Sequence, residues 1–327
     1  LRKDFIFQSE DGQEERVDKF LSEILEVSRN QVEQLIKSQS VLINDNIAFK
    51  NGIKLKNGDK IEINFPEPQK KQSEYEIDFD VEILYEDDYL LVVNKPPHLV
   101  VHSAPSVKEA TLVDWLKNRG VSLSTISGEE RHGIVHRLDK GTTGAMVIAK
   151  DNNTHANLSQ QLSERKMGRY YLAIIDKPLK NDLIVEANIG RNDKNRLKMG
   201  ITENGKYAKT LFKKYLLSKD EKSELIVAKL FTGRTHQIRV HLSTLQRFII
   251  GDNLYGFKSK KDNIENILLH AHTLYFQHPK SGETIHIEAG VGEAMSSYIK
   301  KNFLLELKNG KIEAIHNIFN TFNNSGL

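Results

Sequence analysis

Residues 132–150 read His132-Gly133-Ile134-Val135-His136-Arg137-Leu138-Asp139-Lys140-Gly141-Thr142-Thr143-Gly144-Ala145-Met146-Val147-Ile148-Ala149-Lys150. Ala145 to Ala149 is a short apolar run, the pattern of a buried strand. The small residues Gly141 to Gly144 ahead of it form turns readily. Asp139 stands just before that turn, where a loop at the mouth of a rigid strand can hold a side chain in a cleft. Arg137 lies two residues upstream. On residue chemistry alone, an aspartate in such a loop caps a turn more often than it catalyses. Its meaning therefore depends on the rest of the chain.

The chain has 327 residues, 39% hydrophobic and 28% charged, with 7 prolines and 20 glycines, which suits a packed core and a folded rather than low-complexity chain. There is no cysteine, so disulfides, thiolate nucleophiles and cysteine-based zinc or iron–sulfur sites are excluded. No apolar run approaches the roughly 18 residues of a membrane span, and Leu1 to Asp11 lacks the apolar centre of a signal peptide. A cytoplasmic location is expected. The net charge of +3 permits a polyanionic partner, and its distribution matters more than its sum.

Upstream, Val17, Phe20, Leu21, Ile24 and Leu25 make the stripe of an amphipathic helix over Arg16 to Glu26. Ser28 with Gln31 reads as a capping box opening a second helix that buries Val32, Leu35 and Ile36 and ends near Ser40. Short strands follow at Val41 to Ile43 and Lys60 to Phe65, where Ile61, Ile63 and Phe65 alternate with polar residues. Pro66 to Glu74 has no apolar residue besides proline, the composition of an exposed linker. The expected division is therefore a small domain over 1–66, a linker over 67–78, a larger domain over 79–305 and a tail over 306–327. In the larger domain strands are expected at Tyr89 to Val93, Ala145 to Ala149, Tyr170 to Ile175, Lys209 to Leu217, Glu224 to Phe231 and Thr284 to Ala289. Helices are expected around Leu112 to Trp115, Asn153 to Glu164 and His236 to Leu245; with Thr235 as cap of the last, His236, Arg239 and Ser243 share a polar face and Ile238, Leu242 and Leu245 the other. Strand and helix do not alternate regularly, so the fold class is α+β.

Positive charge is clustered. Residues 191–214 carry eight lysines and arginines, among them Arg196 and Lys198, against two acidic residues. Residues 29–60 carry six, including Arg29 and Lys37, against three. Such clusters suit phosphate contacts, and equally a solvated face. Gly200 to Tyr207 imitates a phosphate-binding loop, but Tyr207 stands where a magnesium-binding hydroxyl is required. His270 with His272, and His236 with His241, lack the accompanying carboxylate pattern of a metal site. No G-x-S-x-G elbow is present.

The segment His136-Arg137-Leu138-Asp139, with Thr142-Thr143-Gly144 and Ala149-Lys150, resembles the signature of the RluA-type pseudouridine synthases. Three further stretches agree in order. Tyr85 to Asp88 with Leu91 to Pro96 and Val100 to His102 resembles the family's first motif. Arg169-Tyr170-Tyr171-Leu172-Ala173 resembles its basic-x-Tyr-x-Ala strand. Thr232 to Leu242, with Gly251-Asp252 and Tyr255-Gly256, resembles its third motif, and His278-Pro279 with Ser281 to Glu283 its closing hairpin. The resemblance covers about Phe79 to Ala289. Gly141 stands for a usual aspartate, Ser103 for a usual proline, and His98 also departs from the pattern. The first domain resembles the small RNA-binding module of the S-four type, with Ser40 in place of a usual glycine.

The resemblance implies isomerisation of uridine to pseudouridine in RNA, without cofactor or metal. It implies the synthase fold, a mixed, mainly antiparallel sheet with flanking helices, and assigns Asp139 as the nucleophile, attacking the ribose C1′ or acting there to form a glycal, Arg239 as the cation held against it, and Tyr171 as the ring that meets the uracil. Arg137 would fill the space left by a flipped base. Further RNA contacts are expected from His136, Arg234, Arg196, Lys198, Arg29 and Lys37. The wording of residues 133–144 is most similar to the subgroup acting on helix 69 of bacterial large-subunit rRNA, so the expected partner is that rRNA or a precursor particle, met by a monomer. Two competing readings are an RNA-binding protein without activity and a metal-independent ribonuclease using His136, His236 or His241.

Overall fold

The computed structural model describes residues 2–9, 12–25, 29–64, 75–104, 107–126, 132–258 and 264–307. The capping box at Ser28, the linker over 67–74 and most of the expected tail lie outside these residues. The first unit comprises β1 (Arg2–Ile6), β2 (Glu15–Arg16), α1 (Val17–Ile24), α2 (Arg29–Lys37), β3 (Val41–Ile43), β4 (Asn46–Ile47), β5 (Lys54–Leu55) and β6 (Lys60–Asn64). One sheet runs β1-β6-β3-β4, and β2 pairs with β5. The alternation at Ile61 and Ile63 turns both inward against Val17, Leu21, Val32, Leu35 and Ile36. Ser40 is accommodated because the left-handed position falls one residue earlier, at Gln39 (φ 56°), and the Ser40 amide donates to the Leu35 carbonyl at 3.0 Å. β1 went unread because four of its five residues are exposed or nearly so and show no alternation.

The larger unit holds β7 (Glu82–Glu86), β8 (Leu90–Lys95), α3 (Leu112–Asn118), β9 (Thr143–Ala149), α4 (Asn152–Ser163), β10 (Gly168–Ile175), β11 (Leu183–Arg191), β12 (Met199–Ile201), β13 (Lys206–Leu217), β14 (Glu224–Leu230), α5 (Gln237–Thr244), β15 (Leu269–Gln277), β16 (Thr284–Glu288) and α6 (Glu293–Asn302). Its sheet runs β12-β11-β13-β14-β10-β15-β9-β8-β7, with β16 added beside β15. β9 and β15 pair in parallel, and the other registers are antiparallel. The fold is the α+β arrangement expected. No helix among the described residues is long and apolar enough to cross a membrane.

The central strands are buried on both faces, which is why β10 reads as a continuous apolar run. Tyr171, Ala173 and Ile175 face one core with Trp115 and Leu116 of α3 and Ile238 and Leu242 of α5. Tyr170, Leu172 and Ile174 face another with Met295 and Ile299 of α6. The two-residue period of the strand thus sends Tyr171 to the side where α5 lies. β11 lacks a buried alternation, with Glu186, Asn188 and Arg191 exposed, and β12 is only three residues, too short for a pattern. Gly200 to Tyr207 runs from β12 through a turn into β13, strands that flank β11 on either side, with the Gly205 amide donating to the Thr202 carbonyl at 3.0 Å, and opens no helix.

Where β9 meets β15, Gly144 lies opposite Ala271 with φ +117°, and a Cβ there would overlap the Ala271 backbone. Gly144→Ala combines left-handed strain with a clash that no rotamer relieves. It should destabilise the protein by about 3 kcal/mol or more, a drop of several degrees in thermal melting.

Candidate active site

Asp139 sits on an irregular segment that enters β9, and three anchors hold that segment. Leu138 is buried in the core shared with α3 and α5. The Thr142 amide donates to the Asp139 carbonyl at 3.0 Å. Lys95, at the end of β8 and fully buried, donates from Nζ to the carbonyls of Pro96 (2.7 Å), Leu99 (2.9 Å) and Lys140 (3.2 Å). Burial pulls this amine down to about 7, opposed by the Asp139 carboxylate. Three acceptors match the three N–H bonds of an ammonium, so the geometry is that of the charged form.

Arg239 approaches from α5. Its Nε and Nη2 donate to Asp252 Oδ2 and Oδ1 at 2.7 and 2.9 Å, a two-pronged contact, and its Nη1 donates to Asp139 Oδ2 at 3.2 Å. Arg239 is 5% exposed and Asp252 is 1% exposed, so the pair is shielded from water while Asp139, at 19% for its side chain, opens to the cleft. Burial opposes the arginine's charge, yet the bonds and fields of Asp252 and Asp139 outweigh it and raise its pKa. Asp252 is delivered by Gly251, whose φ of +84° and contact with the Asn266 backbone leave no room for a side chain. The Tyr255 ring lies 4.8 Å from the guanidinium carbon, a cation–π contact.

The helix carrying Arg239 begins differently from the sequence expectation. Thr235 does not cap it; its Oγ1 accepts from Arg137 Nη2 at 2.9 Å. The N-cap is His236, in the left-handed region (φ 58°) and without a capping side-chain bond. A β-branched threonine competes poorly for that conformation. Arg239, expected on a polar face, is instead buried, as are its neighbours from Gln237 to Leu242.

A cleft of about 660 Å³ is lined by Asp139, Tyr171, Arg239, Arg137, His136 and Arg234, six of the ten residues singled out from the sequence. Burial pushes the Tyr171 phenol up to about 12, with Arg169 opposing, so it is protonated at neutral pH. The His136 Nε2 accepts from the Val147 amide at 3.2 Å, and burial lowers its pKa to about 3. It therefore meets the cleft as a neutral ring and not as a cation. Arg234 is exposed and donates to the Tyr207 carbonyl at 2.9 Å. The remaining four lie elsewhere. Arg196 is exposed between β11 and β12, and Lys198 on the same connection reaches 5.9 Å from the Tyr255 ring. Arg29 is exposed at the start of α2, and Lys37 in its last turn pairs with Glu33 at 2.8 Å. An exposed pair of this kind contributes at most about 1 kcal/mol and yields readily to a phosphate.

Sequence reasoning assigned no role to Lys95, Arg169, Asp252 or Tyr255. Gly251-Asp252 and Tyr255-Gly256 stood in the quoted motifs, which was the available signal. Lys95→Met should leave three carbonyls without their donor and let the Asp139 segment shift. The expected result is destabilisation by about 3 kcal/mol or more in a denaturant melt, with activity lost even where the protein stays folded.

The family model described as RNA pseudouridylate synthase matches residues 89–244, and that of the S4 domain matches residues 15–61. A Helicobacter pylori protein named an uncharacterized RNA pseudouridine synthase is 48% identical over 296 residues, 88% of this chain and 90% of that protein. The ribosomal large subunit pseudouridine synthase D of Nitrosomonas europaea is 34% identical over 293 residues, 87% of this chain and 83% of that protein. The solved structure of human RNA pseudouridylate synthase domain containing 1 superposes with a TM-score of 0.54 at 25% identity, over 67% of this chain and 87% of that one. The chain belongs to the RluA-type RNA pseudouridine synthases, isomerases that convert uridine to pseudouridine in RNA, and carries an S4 domain at its N-terminal side.

Proposed function

We propose that Asp139 is the nucleophile at the ribose C1′ of a uridine flipped into the cleft of a large-subunit ribosomal RNA, in the helix 69 region. The observation that carries the reading is the Asp252–Arg239–Asp139 contact at the floor of a cleft also lined by Tyr171. An Asp139 carboxylate oxygen bonds to C1′ as the N1–C1′ bond breaks; the uracil turns, and C5 then bonds to C1′ and displaces the carboxylate, after which the C5 proton is released and N1 gains one. The change is redox-neutral. A carboxylate able to act at C1′ must be ionised, and Arg239 is the charge that favours that form and fixes its direction. Tyr171 stacks on the uracil as a neutral phenol and is the group assigned to the proton exchange at C5.

A base paired or stacked in RNA must leave the stack to reach this floor. Arg137 fills the space it vacates; its exposure and its reach across to Thr235 at the cleft support that role. His136 contributes the neutral wall beside it. Arg234, Arg196 and Lys198 contact the backbone phosphates near the cleft, and Arg29 and Lys37 do so from the first domain, residues 1–66, which a linker over 67–78 joins to the catalytic domain over 79–305. The name of the Nitrosomonas europaea relative, and the same name on a 34% identical Zymomonas mobilis relative, support the large-subunit rRNA as substrate. The enzyme acts as a monomer in the cytoplasm.

Large-subunit rRNA carrying tritium at uridine C5 tests this directly. The intact enzyme should release tritium, and Asp139→Ala should lose at least about 10³-fold in rate while retaining RNA affinity. Equal release by Asp139→Ala would remove the carboxylate from the mechanism, and release from tRNA alone would remove the ribosomal assignment.

A further inference from the structure

His236 has a place in this site that the mechanism above does not use. Its Nδ1 lies 2.8 Å from Tyr255 Oη, and the two rings meet edge to face at 5.5 Å between centroids. The Tyr255 oxygen already accepts from the Met199 amide at 2.8 Å. The phenol has one hydrogen to give, and two acceptors stand within reach: His236 Nδ1 at 2.8 Å and the Met199 carbonyl at 3.3 Å. The shorter contact is to the imidazole. With Nδ1 accepting, the ring carries its hydrogen on Nε2, and Nε2 lies 3.7 Å from Asp139 Oδ2. The other tautomer would set a nitrogen lone pair against a carboxylate.

Two further observations agree. His236 takes the left-handed backbone conformation, uncommon for a residue other than glycine and concentrated at functional sites. Burial, the largest influence on its ring, lowers its pKa, with Asp139 and Asp252 pulling upward and Arg239 and Arg137 pulling downward. A neutral ring with a fixed tautomer results.

We propose that His236 is a positioning residue for the nucleophile, held by Tyr255 as the Nε2–H tautomer so that it becomes the second donor to Asp139 Oδ2 beside Arg239. At 3.7 Å the contact is too long for a hydrogen bond, and it closes when uridine fills the cleft, as catalytic hydrogen bonds commonly do. With Oδ2 held by two donors, Oδ1 is the oxygen left for C1′. This rests on the reading of Asp139 as nucleophile.

Single-turnover tritium release and RNA affinity, measured for the intact protein, His236→Ala, His236→Gln, Tyr255→Phe and Asp139→Ala, test it together with nitrogen-15 NMR of the histidine rings. The tautomer should appear in the intact protein as a protonated Nε2 and an unprotonated Nδ1 for His236. His236→Ala should slow the bound step by about 100-fold with RNA affinity within about three-fold of the intact protein, the loss typical of one removed donor. His236→Gln, which keeps an N–H donor, should recover at least about ten-fold of that loss, and Tyr255→Phe should lose the fixed tautomer and fall about ten-fold in rate. An Nδ1–H tautomer overturns the proposal. So does full-speed release by His236→Ala beside an inactive Asp139→Ala, an outcome that leaves the nucleophile reading standing. Equal slowing by His236→Ala and His236→Gln at unchanged affinity also overturns it, since shape rather than a donor would then be what matters. Full activity in Asp139→Ala removes the nucleophile reading and this proposal with it.

Discussion

One guanidinium joins two carboxylates that are 113 residues apart in the chain, and the geometry of the cleft depends on it. Asp252 occupies Nε and Nη2 of Arg239, which leaves Nη1 with a single direction, toward Asp139. A buried pair of this kind contributes little net stability, because desolvation offsets most of the attraction. What it supplies is direction. A lysine could not make the same three contacts, since its ammonium lacks the rigid fork.

The surrounding elements can be understood as conditions on that contact. Gly251 permits the tight turn that delivers Asp252, and the parallel approach of β9 and β15 at Gly144 places the Asp139 segment beside it. Lys95 fixes the same segment from beneath by holding the Lys140 carbonyl. Tyr255 lies against the guanidinium and ties it, through the Met199 amide, to β12 at the edge of the sheet. The basic connection between β11 and β12 is thereby set beside Tyr255, with Lys198 Nζ 5.9 Å from its ring.

Features whose signal is local in sequence were legible before the structure. The alternation at Ile61 and Ile63, the apolar run of β10 and the motif around Asp139 all depend on neighbours within a few positions. Features that exist only when distant segments meet were not. Asp252 stood in a quoted motif but without a role, because its partner Arg239 lies 13 positions away. Lys95 stood in a quoted motif without a role: the Pro96 and Leu99 carbonyls it holds are near in sequence, but the Lys140 carbonyl that ties it to the Asp139 segment lies 45 positions away. The start of α5 was misread for a related reason: Thr235 has the chemistry of a cap, but its hydroxyl accepts from Arg137, which lies 98 positions earlier. The edge strands β1 and β11 lack the buried alternation that identifies a strand, so pairing alone defines them.

The central claim is that the forked contact of Arg239 aims the nucleophile. The single-turnover rate of tritium release by Arg239→Lys tests it most directly, because the substitution keeps the charge and removes the fork. The account predicts a fall of at least about 100-fold with RNA affinity retained, since a single ammonium cannot serve Asp252 and Asp139 in the same geometry. A rate within a few-fold of the intact enzyme would contradict it.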